Sequence, residues 1–260
     1  MNIRPLHQSS VRPSPVFLAI VALTAVGGVL AWLAAGTVQP LAYIGVFTFV
    51  IAGFLVSLCL HEFAHAYTAW RFGDHDVAVR GYLTLNPLKY SHPLLSLGLP
   101  ALFIALGGIG LPGGAVYLRT SWMTKTQKTL VSLAGPATNL AFAIVVLVLT
   151  GLLREPSHPV FWAGMAFLGF LQVTAFALNI LPVPGLDGYS ALEPHLSPQT
   201  QRALQPAKQW AFLVLLLLLF TPRVNRWFFE VVFWLTDLFG VSRGLVIAGM
   251  DLTRFWSAWF

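Results

Sequence analysis

Hydrophobic and polar positions along this chain fall into long blocks. Apolar runs of about twenty residues occupy 16–35 and 41–60. One bilayer crossing takes roughly 20 residues at 1.5 Å rise, so each run predicts a membrane-spanning helix. Runs at 129–153 and 160–181, separated by the short loop 154–159, predict two more. Further crossings are predicted at 209–220 and 227–248, the last interrupted by Glu230, Asp237, Gly240 and Arg243. From Arg71 to Lys128 charges reappear and glycines cluster between Gly107 and Gly114. Within this region, 82–85 and the segment Ala115, Val116, Tyr117 and Leu118 are rich in strand-favouring residues and bounded by turn formers, which predicts a small paired β element. The apolar piece 94–106 is about thirteen residues long, too short for a crossing, and reads as re-entrant. The expected fold is an all-α polytopic membrane protein of about six transmembrane helices, with a small membrane-associated β element between the second and third. It forms one membrane-embedded domain over 1–260: a tail and first helix to 40, a core over 41–193 and C-terminal helices over 194–260.

Composition agrees with this pattern and removes other classes. With 57% apolar residues against 9% charged, the chain has too few charges to cover a globular surface, which excludes a soluble enzyme. The net charge of +6 does not indicate a nucleic-acid partner, because the fifteen Lys and Arg lie scattered singly and form no stripe. They orient the chain instead. With the N-terminus inside, the basic residues from Arg4 to Lys128 and again Arg202, Lys208 and Arg254 face the cytoplasm, against Arg154, Arg223 and Arg226 outside. The end of the second helix at His61 and the end of the fourth, from Pro182 to Gly188, then share the cytoplasmic face. The lone Cys59 excludes an intrachain disulfide and a cysteine-only metal cluster.

The second apolar run passes without Gly or Pro into His61-Glu62-Phe63-Ala64-His65. Two histidines four apart project from one helix face, about 5–6 Å between Cβ atoms, and can share one zinc at roughly 2.1 Å. Glu62, on the adjacent angle, can reach a water on the metal without being a ligand, as in an H-E-x-x-H metalloprotease helix. From the His and Glu content, the pattern would arise by chance with a probability on the order of 0.003. Three ionisable groups in one turn near lipid are costly, which argues for a function. A catalytic zinc needs a third protein ligand. Asp187, where prolines break the fourth crossing, is one candidate, and His92 and His195 in proline-flanked loops are its rivals. Cys59 falls on another helix face and reads as apolar filler. The same His61, His65 and Asp187 could instead form a cation site in a metal or ion transporter. That reading calls for several sites and paired broken helices, and the chain offers one.

His-Glu-Phe-Ala-His at the end of a membrane helix, Ala134-Gly135-Pro136-Ala137-Thr138-Asn139 in a later one, and the Asn179 to Gly188 segment occur in the order of the site-2 protease family. The chain resembles that family of intramembrane zinc metalloproteases over roughly 41–193. The resemblance implies that His61, His65 and Asp187 bind one Zn2+ per chain and that Glu62 is the catalytic base. It also implies that Asn139 and Asn179 shape the site and that the substrate is a transmembrane segment of another protein, cut within the lipid bilayer of a bacterial-type plasma membrane, near its cytoplasmic side. The chain departs from the family at Tyr90, where compact relatives tend to have histidine, and at Tyr189, where a second glycine is common. No stretch is long and polar enough for the PDZ or CBS domains of larger members, which makes this a compact form. Ala115, Val116, Tyr117 and Leu118 are candidates to pair, as a strand edge, with an unwound substrate.

Overall fold

A computed structural model describes residues 11–35, 40–90, 98, 101, 102, 104, 116–254 and 256. Helix α1, Pro15–Leu33, starts where Ser14 Oγ accepts from the N–H of Phe17 and Pro15 presets the first helical φ. Helix α2, Pro40–Arg71, has 32 residues, or about 48 Å of rise, well beyond a hydrocarbon core of about 30 Å. The surplus is the end that carries His61 and His65. Helix α1 lies along α2, so tightly that a Cβ on Gly45 would come within 2.6 Å of the Ala31 nitrogen. Lipid tails are as apolar as the side chains, so such close backbone approach, rather than exclusion of water, is what holds helices together here.

Among the described residues, the connection after α2 contains a short helix, α3, Asp76–Val79, followed by 3-10 turns at Tyr82–Thr84 and Pro87–Lys89. Helix α4, Lys125–Leu153, opens with a capping box in which the Thr124 and Gln127 side chains each accept from the other's backbone N–H. It runs through Gly135-Pro136 without interruption. Helix α5, Pro159–Asn179, is the centre of the bundle, burying Trp162, Phe167, Leu168, Leu171 and Leu178. The helices α6, Asp187–Leu192, and α7, Pro198–Leu219, follow, then α8, Pro222–Asp237, and α9, Arg243–Thr253. Phe229 and Phe233 of α8 lie 6.0 and 4.7 Å from Phe170 of α5, and α9 packs on α5 and α2.

Two parts of the expected fold are corrected. Four helices among the described residues, α1, α2, α4 and α5, are long and apolar enough to cross a membrane, in place of six. The expected fifth crossing is the apolar half of α7, whose first half carries Arg202, Pro206 and Lys208. The expected sixth is divided into α8 and α9, because Gly240 takes a left-handed φ of 72° and Ser242 caps the next helix through the Leu245 N–H. The β element is also absent among the described residues. Residues Tyr82–Thr84 form a 3-10 turn between left-handed Gly81 (φ 78°) and Leu85 (φ 56°), a conformation that stops a strand at both ends. Val116, Tyr117 and Leu118 have no regular secondary structure, and Ala115 lies outside the described residues. The re-entrant piece 94–106 lies almost entirely outside them.

Candidate metal centre

One helical turn places the His61 and His65 rings 4.7 Å apart, and α6 brings Asp187 to them from the other side. His61 Nε2 and His65 Nε2 are 3.0 Å apart, and Asp187 Oδ2 is 3.3 and 3.4 Å from them. Three ligand atoms each about 2.1 Å from a tetrahedral ion would be separated by about 3.4 Å, so the set is spaced for one zinc. The ring orientations say the same. His65 Nδ1 is 2.7 Å from the Val131 carbonyl, which only accepts, and His61 Nδ1 is 2.6 Å from Asn139 Oδ1. In the neutral rings both Nδ1 atoms therefore carry the proton, and both Nε2 atoms present lone pairs. Two lone pairs and a carboxylate oxygen converging within 3.4 Å need a cation between them.

Helix α4 makes room for this. A Cβ on Gly135 would lie 2.6 Å from His61 Cε1 and Nε2 and would also collide with His65 Nε2. Sequence reading alone makes Gly135-Pro136 a kink; the structure gives the glycine a site role, as the floor on which both imidazoles rest. Asp187 depends on a second close approach, because a Cβ on Gly188 would come 2.6 Å from the Leu181 oxygen. Only a glycine lets the broken end of α5 fold back tightly enough to aim the preceding carboxylate at the histidines. Burial by itself would raise the Asp187 carboxyl, but when the imidazoles are protonated the His65 charge beside it and the hydrogen bonds the rings then donate outweigh that and hold it well below the usual range.

Glu62 is buried, with Oε1 4.0 Å from His61 Nε2, and its carboxylate lies beside the Val116 backbone N–H. Both face a cavity of about 770 Å³ that is also lined by Leu118, Thr120, Asn179 and Gln201. The Val116–Thr120 stretch is pinned across this cavity from outside: Arg119 N–H donates to Asp74 Oδ2 at 2.7 Å, and its guanidinium pairs with Asp76 at 2.8 Å.

Asn139 and Asn179 are both buried at the site, Asn139 on His61 and Asn179 in the cavity wall. The rival ligand His195 stands away from the metal group, with Nε2 2.9 Å from Thr129 Oγ1, and His92 lies outside the described residues. Cys59 is a buried filler beside Phe17 and Leu85. Its carbonyl accepts from the Tyr90 hydroxyl at 3.3 Å, and burial pushes that phenol up and keeps it a donor. Val131, Ser57 and Gln172 escaped the sequence reading. The contacts that join them to one another and to the histidines span as many as 115 positions, as between Ser57 and Gln172, and leave no local pattern.

No family model matches the chain, and no solved structure matches it. Over the whole of both chains it is 70% identical to a protein of Mycolicibacterium smegmatis named "putative zinc metalloprotease Rip2". It is 69% identical over 254 residues, 98% of each chain, to the protein of the same name from Mycobacterium tuberculosis. To the Bacillus subtilis protein named "putative zinc metalloprotease YwhC" it is 31% identical over 185 residues, covering 67% of this chain and 81% of that one.

Proposed function

The chain belongs to the site-2 protease family of membrane zinc metalloproteases, and from that premise we propose which residues do its chemistry, what it cuts and where. It is an intramembrane zinc metalloprotease and not a transporter. In this reading His61, His65 and Asp187 hold the zinc, and Glu62 is the general base. The observation that carries it is the convergence of His61 Nε2, His65 Nε2 and Asp187 Oδ2 within 3.4 Å, one residue away from a buried carboxylate.

When bound, zinc acidifies a water and polarises the scissile carbonyl. The Glu62 carboxylate takes the water's proton and passes it to the leaving amine, with the Val116 N–H beside it at the cavity wall. Asn139 and the Val131 carbonyl hold the two imidazoles with Nε2 inward, and Asn179 forms part of the cavity wall. The substrate is a transmembrane segment of another protein. Its carbonyls are hydrogen-bonded within the helix, so a stretch must unwind before it can be cut. Val116 and Leu118 line the cavity and, with Tyr117, form a stretch without regular secondary structure that offers backbone groups to the unwound substrate.

The site faces the cytoplasmic side of a bacterial plasma membrane. Four crossings with the N-terminus inside put Arg71, Arg80, Lys89, Arg119, Lys125 and Lys128 on the side of the site, against Arg154 opposite. Residues 41–193 act as the catalytic core, and the C-terminal helices buttress α5 within the same membrane domain. The test is incubation of purified full-length protein with single-span substrates, with and without a zinc chelator. Cleavage that stops on chelation and returns with zinc is expected. Cleavage indifferent to chelation, and equally fast in Glu62→Gln, would overturn the reading.

A further inference from the structure

Gln172 sits in the middle of α5, the most buried crossing, with no exposed surface. Its Oε1 accepts from Ser57 Oγ and, at 3.1 Å, from Asn139 Nδ2. The other Asn139 Nδ2 hydrogen goes to Ser57 Oγ at 3.1 Å, so the Asn139 amide nitrogen spends both hydrogens on this pair. That leaves Asn139 Oδ1 free to face His61 Nδ1 at 2.6 Å.

The alternative arrangement shows what Gln172 does. If the Asn139 carboxamide turned over, its NH2 would meet His61 Nδ1 and require a lone pair there. The ring proton would move to Nε2, the atom that faces the metal group, and that tautomer cannot bind a metal through Nε2. The flipped amide would also bring its oxygen against Gln172 Oε1, acceptor on acceptor. With the Gln172 carbonyl held toward Ser57 and Asn139, as the structure has it, one Asn139 orientation, and through it one His61 tautomer, is the stable one. Gln172 Nε2, buried and unpartnered among the described residues, points the same way. An unpaired Nε2 in an apolar helix destabilises the protein, so it is the accepting Oε1 that accounts for an amide at this position.

We infer that Gln172, with Ser57, is a positioning residue that locks the zinc-binding tautomer of His61 through Asn139. The inference rests on His61 being a zinc ligand.

The experiment is a zinc titration of the full-length, metal-stripped protein in detergent against a chromophoric chelator. Gln172→Met should bind zinc about 10-fold more weakly or worse, the scale of lost support behind a metal ligand. Loss of Oε1 leaves Ser57 Oγ and one Asn139 Nδ2 hydrogen without an acceptor, so the metal-free form should melt lower as well, and the Asn139→Ala background separates that cost from the lock. Gln172→Glu, which keeps an acceptor oxygen, should bind close to wild type. In an Asn139→Ala background, Gln172→Met should weaken zinc binding no further. Wild-type affinity in Gln172→Met, an equal loss in Gln172→Glu, or the same loss with Asn139 already removed would each overturn the lock. Should Gln172→Met fail to fold, Ser57→Ala decides by the same comparison in the two backgrounds. The ligand assignment is read separately: undiminished zinc binding by His61→Ala would end that reading, whatever Gln172 does.

Discussion

Replacing Gly135 by alanine sets two physical effects against each other. By helix propensity alone, Gly→Ala inside α4 stabilises by about 1 kcal/mol. The new methyl, however, would stand 2.6 Å from His61 Cε1 and Nε2 and closer still to His65 Nε2. Carbon contacts settle at about 3.5 Å or more, so the imidazoles must retreat by about 1 Å. A zinc site tolerates about 0.2 Å. Two of three ligands leave their places at once, so zinc affinity should fall by at least the roughly 100-fold at the top of the range for lost ligand support. The metal-free protein feels little of this, because its imidazoles can swing aside. Gly135→Ala should therefore melt, without zinc, at or slightly above the wild-type temperature. With zinc in excess, the stabilisation gained by the wild type should shrink by about 2.7 kcal/mol for a 100-fold weaker Kd. Thermal unfolding with and without added zinc reads both effects, and metal analysis gives zinc per chain. A Gly135→Ala protein that keeps one zinc and rises in Tm with zinc as far as wild type would refute the placement of Gly135 under the histidines.

Glu62→Gln should keep its zinc and lose about 10²- to 10⁴-fold in cleavage rate, since the amide cannot take the proton; most of the rate surviving would remove Glu62 as base. Val116→Pro removes the N–H that meets the Glu62 carboxylate at the cavity edge, and should slow cleavage with zinc content unchanged. Normal cleavage by a well-folded Val116→Pro protein would dismiss this backbone edge. For topology, Gln199→Cys, exposed near the start of α7, should resist a membrane-impermeant thiol reagent added outside intact cells; the buried Cys59 gives no background, and rapid external labelling would reverse the orientation.

How much of this protein could be read from its sequence follows from the range of the interactions involved. The crossings α1, α2, α4 and α5 were legible, because a bilayer filters each segment by length and apolarity alone. The His61, Glu62 and His65 group was legible for a similar reason: one turn of one helix sets its geometry. The two C-terminal crossings and the strand pair were misread, since a few local residues outweighed the pattern. Gly240 and Ser242 divide one apolar run, and left-handed Gly81 and Leu85 close off the other. Spacing alone could not show that Asp187 meets the two histidines; that meeting requires the fold-back at Gly188 that carries its carboxylate to 3.3 Å from His61. Nor could the sequence reveal that Gly135 underlies two imidazoles, or that Gln172, 33 positions from Asn139, orients it. Those contacts join four separate helices at one point. A chain specifies such a meeting only through the packing of all of them, whereas each helix taken singly is already determined by its own residues and the lipid around it.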